Sequence, residues 1–391
     1  MKANQLQKNI PSGWQIKQFK DCVIILAKLK GLKNSEYKNF GKYPIFDQAQ
    51  EYISGYSDEE KLLNKNYPAI LFGDHTRIIK YIKSPFISGA DGAKIFWSKN
   101  DIDSAFLYYS LFNLNIPNTG YNRHFKFLKE SMILVPNNIS EQKKIAEILS
   151  KVDEETNKID ELISKTEKFK NGLMNDLFTK GVRHKKFKKT ELGDIPEEWE
   201  IKTLADIGEN VIGLTYSPSE VVSEGMLVLR SSNIFENKII YKDNVFINKK
   251  VPQHLITKIG DILLCTRNGS RNLIGKNAYI DKKSAGHSFG AFMSVYRTEY
   301  NKFVFQFFQS RFFKEQVNKY LGSTINQITT KSLNSFILPI PSIREQSKIA
   351  EVLLSVDKKL EKQKELKEKL IQLKKGLMSD LLRGKVRTIK A

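Results

Sequence analysis

The sequence EQKKIAEILSKVDEETNKIDELISKTEKFKNGLMNDLFTKGVR occupies residues 141–183, and EQSKIAEVLLSVDKKLEKQKELKEKLIQLKKGLMSDLLRGKVR occupies residues 345–387. The two stretches align without a gap at an offset of 204 residues. A shorter repeat, Ile-Pro-x-x-Trp, occurs at 10–14 and again at 195–199. Because both repeats occur in the same order, the chain is predicted to hold two tandem copies of one plan, each a variable part followed by a constant stretch.

Each constant stretch has the pattern of one long helix, because its apolar residues recur in steps of three and four. A polar cap residue precedes each helix, at Asn138 and Ser342, and a glycine ends it, at Gly181 and Gly384. About 40 residues in a helix make a rod of roughly 60 Å. The residues predicted to pair the two helices are Ile145, Ile148, Val152, Ile159, Leu162, Phe169 and Leu173 in the first, and Ile349, Val352, Val356, Leu366, Leu370, Leu373 and Leu377 in the second.

A helix with an apolar seam needs a partner, which is either the other helix of the same chain or the same helix of a second chain. Residues 139–178 carry a net charge of −2, and residues 343–382 carry a net charge of +3. Opposite signs favour pairing between the two different helices. We therefore expect an intramolecular antiparallel coiled coil, which gives the molecule an approximate twofold axis.

The rest of the chain mixes short strands with amphipathic helices, and a length of 391 residues suits two to three domains. The predicted fold class is α+β, with two tandem mixed domains separated by the two long helices. The predicted boundaries are 1–138 for the first globular domain, 139–180 for the central helix, 181–198 for a linker, 199–341 for the second globular domain, and 342–391 for the second helix with a basic tail. Strands are predicted at 23–27, 68–73, 133–136, 226–229, 261–266 and 292–296, and further helices at 101–112 and 300–320.

The chain is strongly basic, with 64 Lys and Arg against 43 Asp and Glu and a net charge of +21. Residues 1–138 and residues 199–342 each carry +7, whereas the two long helices together carry only +1. Such a surplus attracts polyanions, so nucleic acid is the expected partner. The alternatives are a charge that serves solubility and a protein that binds a membrane surface. The two cysteines, Cys22 and Cys265, are too few for a disulfide scaffold, and the sequence shows neither a membrane span nor a secretory signal. A cytoplasmic location is expected.

The sequence contains no motif of a complete active site. GHSFG at 286–290 fits the G-x-S-x-G nucleophile elbow, but the last histidine is His287, and the hydrolase order requires one after the serine. GSRNLIGKN at 269–277 has one residue too many for a P-loop and lacks its Ser or Thr. We interpret His75, beside Asp74, as a hydrogen-bonding loop histidine rather than half of a catalytic dyad. The sequence therefore predicts no catalytic residue, no metal and no cofactor.

This plan resembles the specificity subunit of type I DNA restriction–modification enzymes, over essentially the whole chain. The most specific part is the repeated EQxxIAE(I/V)L…GLMxDL segment at 141–177 and 345–381, which is similar to the family's paired spacer regions. The IPxxW stretches are similar to the family's domain starts. Motifs similar to those of its target-recognition domains are FGDHTR at 72–77, GADG at 89–92, RSSN at 230–233 and GDIL at 260–263.

The resemblance implies that each variable domain binds one half of a bipartite sequence in double-stranded DNA and that the helices set the gap between the halves. It also implies that two modification subunits, which use S-adenosylmethionine, dock on this chain and methylate adenine N6. Two restriction subunits, which are ATP-dependent motor–nucleases, join them where the system also cleaves DNA. This chain would then be the non-catalytic recognition subunit.

Polar side chains on loops are the expected contacts to DNA, because Arg pairs with guanine and Asn or Gln with adenine in the major groove, while other basic groups bind phosphates. The candidates are His75, Arg77, Asn122, Arg123 and His124 in the first domain, and Arg230, Ser231, Asn233, Arg267, Asn268, Arg271 and Asn272 in the second. Two other functions remain open from the residues alone. One is a standalone architectural protein that binds DNA or RNA, and the other is an enzyme with unrecognised catalytic residues.

Overall fold

The computed structural model describes residues 10–25, 29–89, 92–321 and 326–389. The chain divides into two compact units, the first made of residues 1–161 with 364–391 and the second of residues 162–363. Two long helices, α4 (Ile139–Thr179) and α9 (Ile343–Leu381), each contribute residues to both units. The predicted α+β class, with two tandem mixed domains and two long helices, is confirmed. Among the helices of the described segments, none combines the length and apolar character needed to cross a membrane.

The first unit contains short strands and short helices in addition to its parts of the long helices. Its strands are β1 (Trp14–Gln18), β2 (Val23–Ile24), β3 (Tyr43–Phe46), β4 (Gly55–Ser57), β5 (Ala69–Gly73), β6 (Ile79–Ile82), β7 (Ile87–Ser88), β8 (Ala93–Ser98) and β9 (Met132–Pro136). Its shorter helices are α1 (Phe19–Cys22), α2 (Ser104–Phe112) and α3 (Phe125–Lys129). Residues 26 and 27 of the predicted strand 23–27 lie outside the described residues.

Strand β5 is the centre of the first unit. It lies in an antiparallel sheet of order β2-β8-β5-β6, beside a second sheet of order β4-β3-β7 in which β3 and β7 are parallel. Side chains of a strand alternate between its two faces. Ile70 and Phe72 therefore pack into the core that contains α2 and the start of α4, whereas Ala69 and Leu71 pack into a second core with Phe46. Burial on both faces explains why the segment AILFG is almost wholly apolar.

The second unit contains the remaining elements. Its strands are β10 (Phe187–Thr190), β11 (Gly193–Pro196), β12 (Glu200–Thr203), β13 (Glu209–Ile212), β14 (Val221–Val222), β15 (Met226–Leu229), β16 (Ile234–Phe235), β17 (Lys238–Ile239), β18 (Phe246–Ile247), β19 (Ile262–Cys265), β20 (Asn277–Tyr279), β21 (Ser288–Phe289), β22 (Met293–Arg297) and β23 (Ile337–Ile340). Its shorter helices are α5 (Leu204–Ile207), α6 (Asn301–Phe307), α7 (Arg311–Tyr320) and α8 (Thr330–Asn334).

The second unit repeats the plan of the first. Strand β19 takes the place of β5 in an antiparallel sheet of order β13-β22-β19-β20, beside a sheet of order β14-β18-β15-β21 in which β15 and β21 are parallel. Ile262 and Leu264 pack into the core with the long helices, and Leu263 and Cys265 pack into the other core. The segment expected to be a plain linker forms the hairpin β10–β11, whose Ile195 is fully buried.

The long helices run antiparallel within each unit. In the first unit Asp153 pairs with Lys374 at 2.6 Å and Asp160 pairs with Lys367 at 2.6 Å, so residue numbers rise along one helix as they fall along the other. In the second unit the Lys170 ammonium lies 2.5 Å from Asp357. The pairing is therefore intramolecular and antiparallel within the first unit and within the second.

The seam that pairs the helices is less apolar than the sequence predicts. Ile145 and Ile349 are fully buried, and Val152 and Val356 nearly so. Half-buried members are Ile148, Ile159, Leu173, Val352, Leu370 and Leu377. The remaining four are exposed, which corrects the prediction for Leu162 (41%), Phe169 (60%), Leu366 (45%) and Leu373 (51%). The physical reason is that the buried positions in this part of the two helices are occupied by polar side chains, namely Thr166, Lys170 and Gln363.

Equivalent glutamates fix the start of each long helix. Glu141 is fully buried and accepts hydrogen bonds from Nε and Nη2 of Arg387, at 2.6 and 2.9 Å. Its repeat counterpart, Glu345, accepts from the backbone N–H of Val182, from the ring of His184, and from the indole N–H of Trp199. The residues that follow each long helix are thus hydrogen-bonded to the first turn of the other long helix. Charged hydrogen bonds of this kind are stronger than neutral ones.

An ion pair between the helices is repeated in both units and is anchored each time to the globular part. Asp153 of the first pair also accepts a 2.7 Å hydrogen bond from the Tyr109 hydroxyl on α2, and burial raises the pKa of that phenol. Asp357 accepts a 2.9 Å bond from the buried amide of Gln306 on α6. Asp153 and Asp357 are repeat equivalents, as are Lys374 and Lys170. Each pair therefore fixes the register of the long helices relative to a short helix of the same unit.

Replacing Asp153 with Asn is expected to lower the free energy of unfolding by about 1–2 kcal/mol, because the Lys374 ammonium, only 18% exposed, then loses its counter-charge. The matched change Asp160→Asn removes a more exposed pair and is expected to cost less than about 0.5 kcal/mol. Urea unfolding followed by tryptophan fluorescence measures both. Equal losses in the two variants would contradict the assignment of Asp153 as the residue that fixes the register.

Candidate nucleic-acid interface

In the first unit, loops from separate parts of the sequence meet where β5 ends. The backbone N–H of His75 donates to Oε1 of Gln48, which follows β3, at 3.0 Å. The backbone N–H of Asp74 donates to the carbonyl of Gly92, which precedes β8, at 2.7 Å. Arg77 donates from Nη1 to the carbonyl of Ile116 at 3.1 Å. The structure therefore brings together the candidate residues of the 74–77 turn and those near 122.

Arg77 occupies a backbone conformation that side chains rarely adopt, with a φ of 61°. This conformation ends the turn and aims the guanidinium at the loop that carries Ile116. A guanidinium has five N–H groups, so one bond to a carbonyl leaves it able to contact a phosphate or a base. Arg77 is half-buried, whereas Asn122 and Arg123 are exposed.

His124 is fully buried and takes a structural place in this loop cluster. Its Nδ1 lies 3.0 Å from the carbonyl oxygen of Asp74, and its Nε2 accepts from the backbone N–H of Thr119 at 3.2 Å. The Asp74 carboxylate in turn accepts from the backbone N–H of Phe125 at 2.9 Å. A side chain with no exposed surface cannot contact DNA in this conformation. The prediction for His124 is therefore corrected to a residue that holds the loop in place.

In the second unit, the loop after β15 and the turn after β19 meet in the same way. Nδ2 of Asn268 donates to the hydroxyl of Ser231 at 3.0 Å, and the Lys276 ammonium donates to the Ser231 carbonyl at 3.3 Å. The backbone N–H of Asn268 bonds to the carbonyl of Asn326 at 3.2 Å. Arg267, Arg271 and Asn272 are exposed on this turn. Both units therefore present polar and basic side chains at the same end of equivalent sheets.

Asn233 is fully buried and organises the loop that carries Arg230. Its Oδ1 accepts from the Arg230 backbone N–H at 2.9 Å. Its Nδ2 donates to the carbonyls of Ile240 and Lys242 and to the side chain of Asn244, at 3.1–3.2 Å. Asn233 was expected to contact DNA, but it has no exposed surface, like His124, so its role is corrected to one that holds the loop in place. Arg230 itself is half-buried and donates to the Asp243 carbonyl.

Several residues of these surfaces were not singled out by sequence reasoning. Gln48 links the loops after β3 and β5, and Tyr121 is 91% exposed and stacks on His75. In the second unit Phe292 is 55% exposed and lies against the Arg267 guanidinium. The aromatic residues could have been suspected from their sequence neighbours, since Tyr121 directly precedes the candidate Asn122. Nothing in the sequence marks Gln48.

Both cysteines and the serine of the GHSFG segment are buried. Burial raises the pKa of the Cys22 and Cys265 thiols to about 11, so both are neutral and unreactive at physiological pH. Ser288, from the GHSFG segment, is fully buried in β21 rather than exposed on a turn. Burial also lowers the pKa of the neighbouring His287. Within the described ranges, no three His, Cys, Asp or Glu side chains are grouped as a metal site.

A family model and a curated relative both match most of this chain. A family model for the type I restriction modification DNA specificity domain matches residues 11–166 and 196–371. The specificity subunit of type I restriction enzyme MjaVIII from Methanocaldococcus jannaschii is 28% identical over 401 residues, which cover 97% of this chain and 94% of that protein.

Solved structures share the fold. The crystal structure of the S subunit of a type I restriction–modification system from M. genitalium aligns with a TM-score of 0.62 at 19% identity, over 96% of both chains. A chain from a structure concerned with complex assembly and conformational transition of the type I R-M system aligns with a TM-score of 0.57 at 13% identity, over 97% of this chain and all of that one.

The chain therefore belongs to the type I restriction–modification DNA specificity domain family. The two matched stretches fall in the two halves of the chain, so it is a specificity subunit with two tandem target-recognition domains. The two sets of loops described above lie one in each domain.

Replacing Asn233 with Ala is expected to destabilise the second unit by about 2–3 kcal/mol, because the loop loses the hydrogen bonds that the buried Asn233 amide makes to Arg230, Ile240 and Lys242. Asn272→Ala, at an exposed position of the neighbouring turn, is expected to change stability by less than about 0.5 kcal/mol. Chemical denaturation of both variants measures the difference. Asn233 would be a surface residue rather than an organising one if its variant matched Asn272→Ala.

Proposed function

We propose that each unit reads one half of a bipartite DNA target through the loops at the ends of β5 and β19. The observation that carries the proposal is the repetition of one loop arrangement, with basic and amide side chains, at the same end of equivalent sheets. Base edges in the major groove are distinguished by such side chains. Because the two sets of loops differ in sequence, the two half-sites are expected to differ, which makes the target asymmetric.

Charge supports binding of a duplex rather than a small ligand. The two globular parts carry equal surpluses of +7, and the helices carry almost none. Lys and Arg that neutralise phosphates release counterions, so affinity falls steeply as salt rises. Phosphate contacts fix the position of a domain on DNA, and side chains such as Arg123, Arg267 and Arg271 are exposed for either role.

The long helices are proposed to set the gap between half-sites and to bind two modification subunits, which methylate adenine N6 with S-adenosylmethionine. Restriction subunits with ATP-dependent motor and nuclease activity would join where DNA is cleaved, and this chain itself would be non-catalytic. Support comes from the family and from apolar side chains left exposed on the helices, Leu162 and Phe169 in the second unit and Leu366 and Leu373 in the first. Exposed apolar surface of this kind marks sites of protein association.

The second candidate function is a standalone architectural nucleic-acid-binding protein without a methyltransferase partner. The basic charge fits both functions equally well. Membership of the specificity-domain family over both halves of the chain favours the subunit.

Deleting the gene for this chain is expected to abolish methylation of one bipartite adenine motif in the cell, because sequence recognition resides here and the reaction does not. Long-read sequencing of genomic DNA with and without the gene measures this directly. Complementation with the intact chain should restore the same motif. An identical methylation pattern in the deletion strain would favour the architectural protein, and methyl transfer by the purified chain alone would make it an enzyme.

Inserting one heptad between Glu161 and Leu162, and another between Gln363 and Lys364, is expected to lengthen the recognised gap. Seven helical residues add about 10 Å, which equals roughly three base pairs of 3.4 Å. Both insertions fall where the two units divide, so the Asp153 and Asp357 ion pairs stay within their own units. Methylation mapping reads out the gap. A single insertion in one helix is the control, since it mismatches the pair, and an unchanged gap in the double insertion would contradict the spacer role.

A further inference from the structure

We infer that Tyr121 and Phe292 are aromatic wedges, each of which enters an opened base step in one half of the DNA target. The inference rests on the proposed function and extends it, because it adds a contact to base faces to the expected contacts with base edges and phosphates. Neither residue lies in a motif that carried the family resemblance.

In the first unit the wedge is Tyr121. Its ring stacks on the His75 ring with centroids 4.9 Å apart and planes inclined by 12°, while 91% of the residue remains exposed. The loop that carries it is fixed on both sides, by the Arg77 bond to the Ile116 carbonyl and by the buried His124. Tyr121 is therefore an almost fully exposed ring on a loop that is held on both sides, with the His75 ring beside one of its faces.

In the second unit the wedge is Phe292, immediately before β22. The Arg267 guanidinium lies 5.0 Å from the centre of its ring, and the residue is 55% exposed. The backbone is held as well, because the N–H groups of Thr266 and Arg267 both donate to the Phe292 carbonyl at 3.1 Å. A planar cation thus braces one face of an exposed ring, as the His75 ring does in the first unit.

His75 and Arg267, the side chains that lie against the two rings, occupy equivalent places in the two domains. His75 lies two residues beyond Gly73, the last residue of β5, and Arg267 lies two residues beyond Cys265, the last residue of β19. Gly73 and Cys265 pair with equivalent positions on β8 and β22. The braced rings come from different parts of each domain, so the repeat in the sequence does not account for the arrangement. Two domains with divergent loops thus each place a planar side chain against an exposed aromatic ring.

An exposed aromatic ring with a planar side chain behind it is suited to stacking on an unstacked nucleobase. In a closed duplex the base faces are covered by their neighbours, and only an opened step offers a face to a protein ring. Methylation of adenine N6 requires such an opening, since the target base must leave the helix to reach an active site. A ring that is already braced loses little entropy when it inserts, and the basic side chains around each pair draw it toward the DNA backbone.

The test uses the complex of this chain with its modification subunits and a duplex of the motif found by methylation mapping. Tyr121→Ala and Phe292→Ala are each expected to weaken specific binding by about tenfold to a hundredfold, the effect of losing one stacked base. Tyr121→Phe and Phe292→Tyr keep the ring and are expected to bind like the unmodified chain. The binding constant is measured by fluorescence anisotropy at several salt concentrations.

A duplex with one half-site shuffled is the matched control. Each Ala variant is expected to bind the duplex whose shuffled half-site is the one read by the mutated domain as the unmodified chain does, with an unchanged salt slope, because no charge is removed. 2-Aminopurine beside the target adenine should brighten when the unmodified complex binds and should brighten less with the Ala variant of the same half-site. The inference would be overturned if the Ala variants bound each duplex as tightly as the unmodified chain binds it. It would also be overturned if Tyr121→Phe lost as much affinity as Tyr121→Ala.

These outcomes are distinct from failure of the proposed function. If the unmodified complex does not distinguish the mapped duplex from the shuffled one, the recognition function itself is wrong. If the unmodified complex discriminates and the Ala variants discriminate equally well, only the wedge inference is wrong.

Discussion

The antiparallel pairing of α4 with α9 is the constraint on which both recognition surfaces depend. The middle of the seam exposes apolar residues such as Phe169, so hydrophobic contact alone would not stop one helix from sliding along the other. The equivalent ion pairs, Asp153 with Lys374 and Asp357 with Lys170, remove that freedom. A buried or half-buried ion pair adds little net stability, but it penalises every register that separates its charges. Each pair is also hydrogen-bonded to a short helix of its own unit, α2 through Tyr109 or α6 through Gln306, so the globular part of that unit takes a fixed place relative to the long helices.

The parts of the fold that could be predicted are those with a repeat or a strong period. Both long helices were predicted to within a few residues, because the same caps and apolar steps occur twice. Helix 300–320 was predicted as one helix but forms two, because the side chain of Ser310 caps a new helix. The apolar seam was overestimated since periodicity shows which face of a helix is apolar and not what covers it. Buried Thr166 and Gln363 occupy the interface that the exposed Leu162 was expected to fill.

Residue type predicted the location of the recognition loops better than the role of each side chain. The structure brings His75 and Arg77 close to the loop that contains Asn122, as expected for one surface. His124 and Asn233 were expected on that basis to touch DNA, yet they are buried, because short polar side chains are as suited to bonding a backbone as to bonding a base. Sequence alone does not distinguish the two roles, since they differ only in which partner lies within hydrogen-bond distance.

The discontinuous first unit has a consequence for synthesis of the protein on the ribosome. The second unit is a continuous segment, whereas the first includes residues that are translated after the second unit, among them Arg387, which bonds to the buried Glu141. Domains usually fold in the order in which they emerge. Here the second unit can close while the first still lacks part of its core, since Met378 and Leu381 complete the cluster around Ile145. The half of the molecule that is translated first is therefore the half that is completed last, and until then its unfilled core is open to chaperones and proteases.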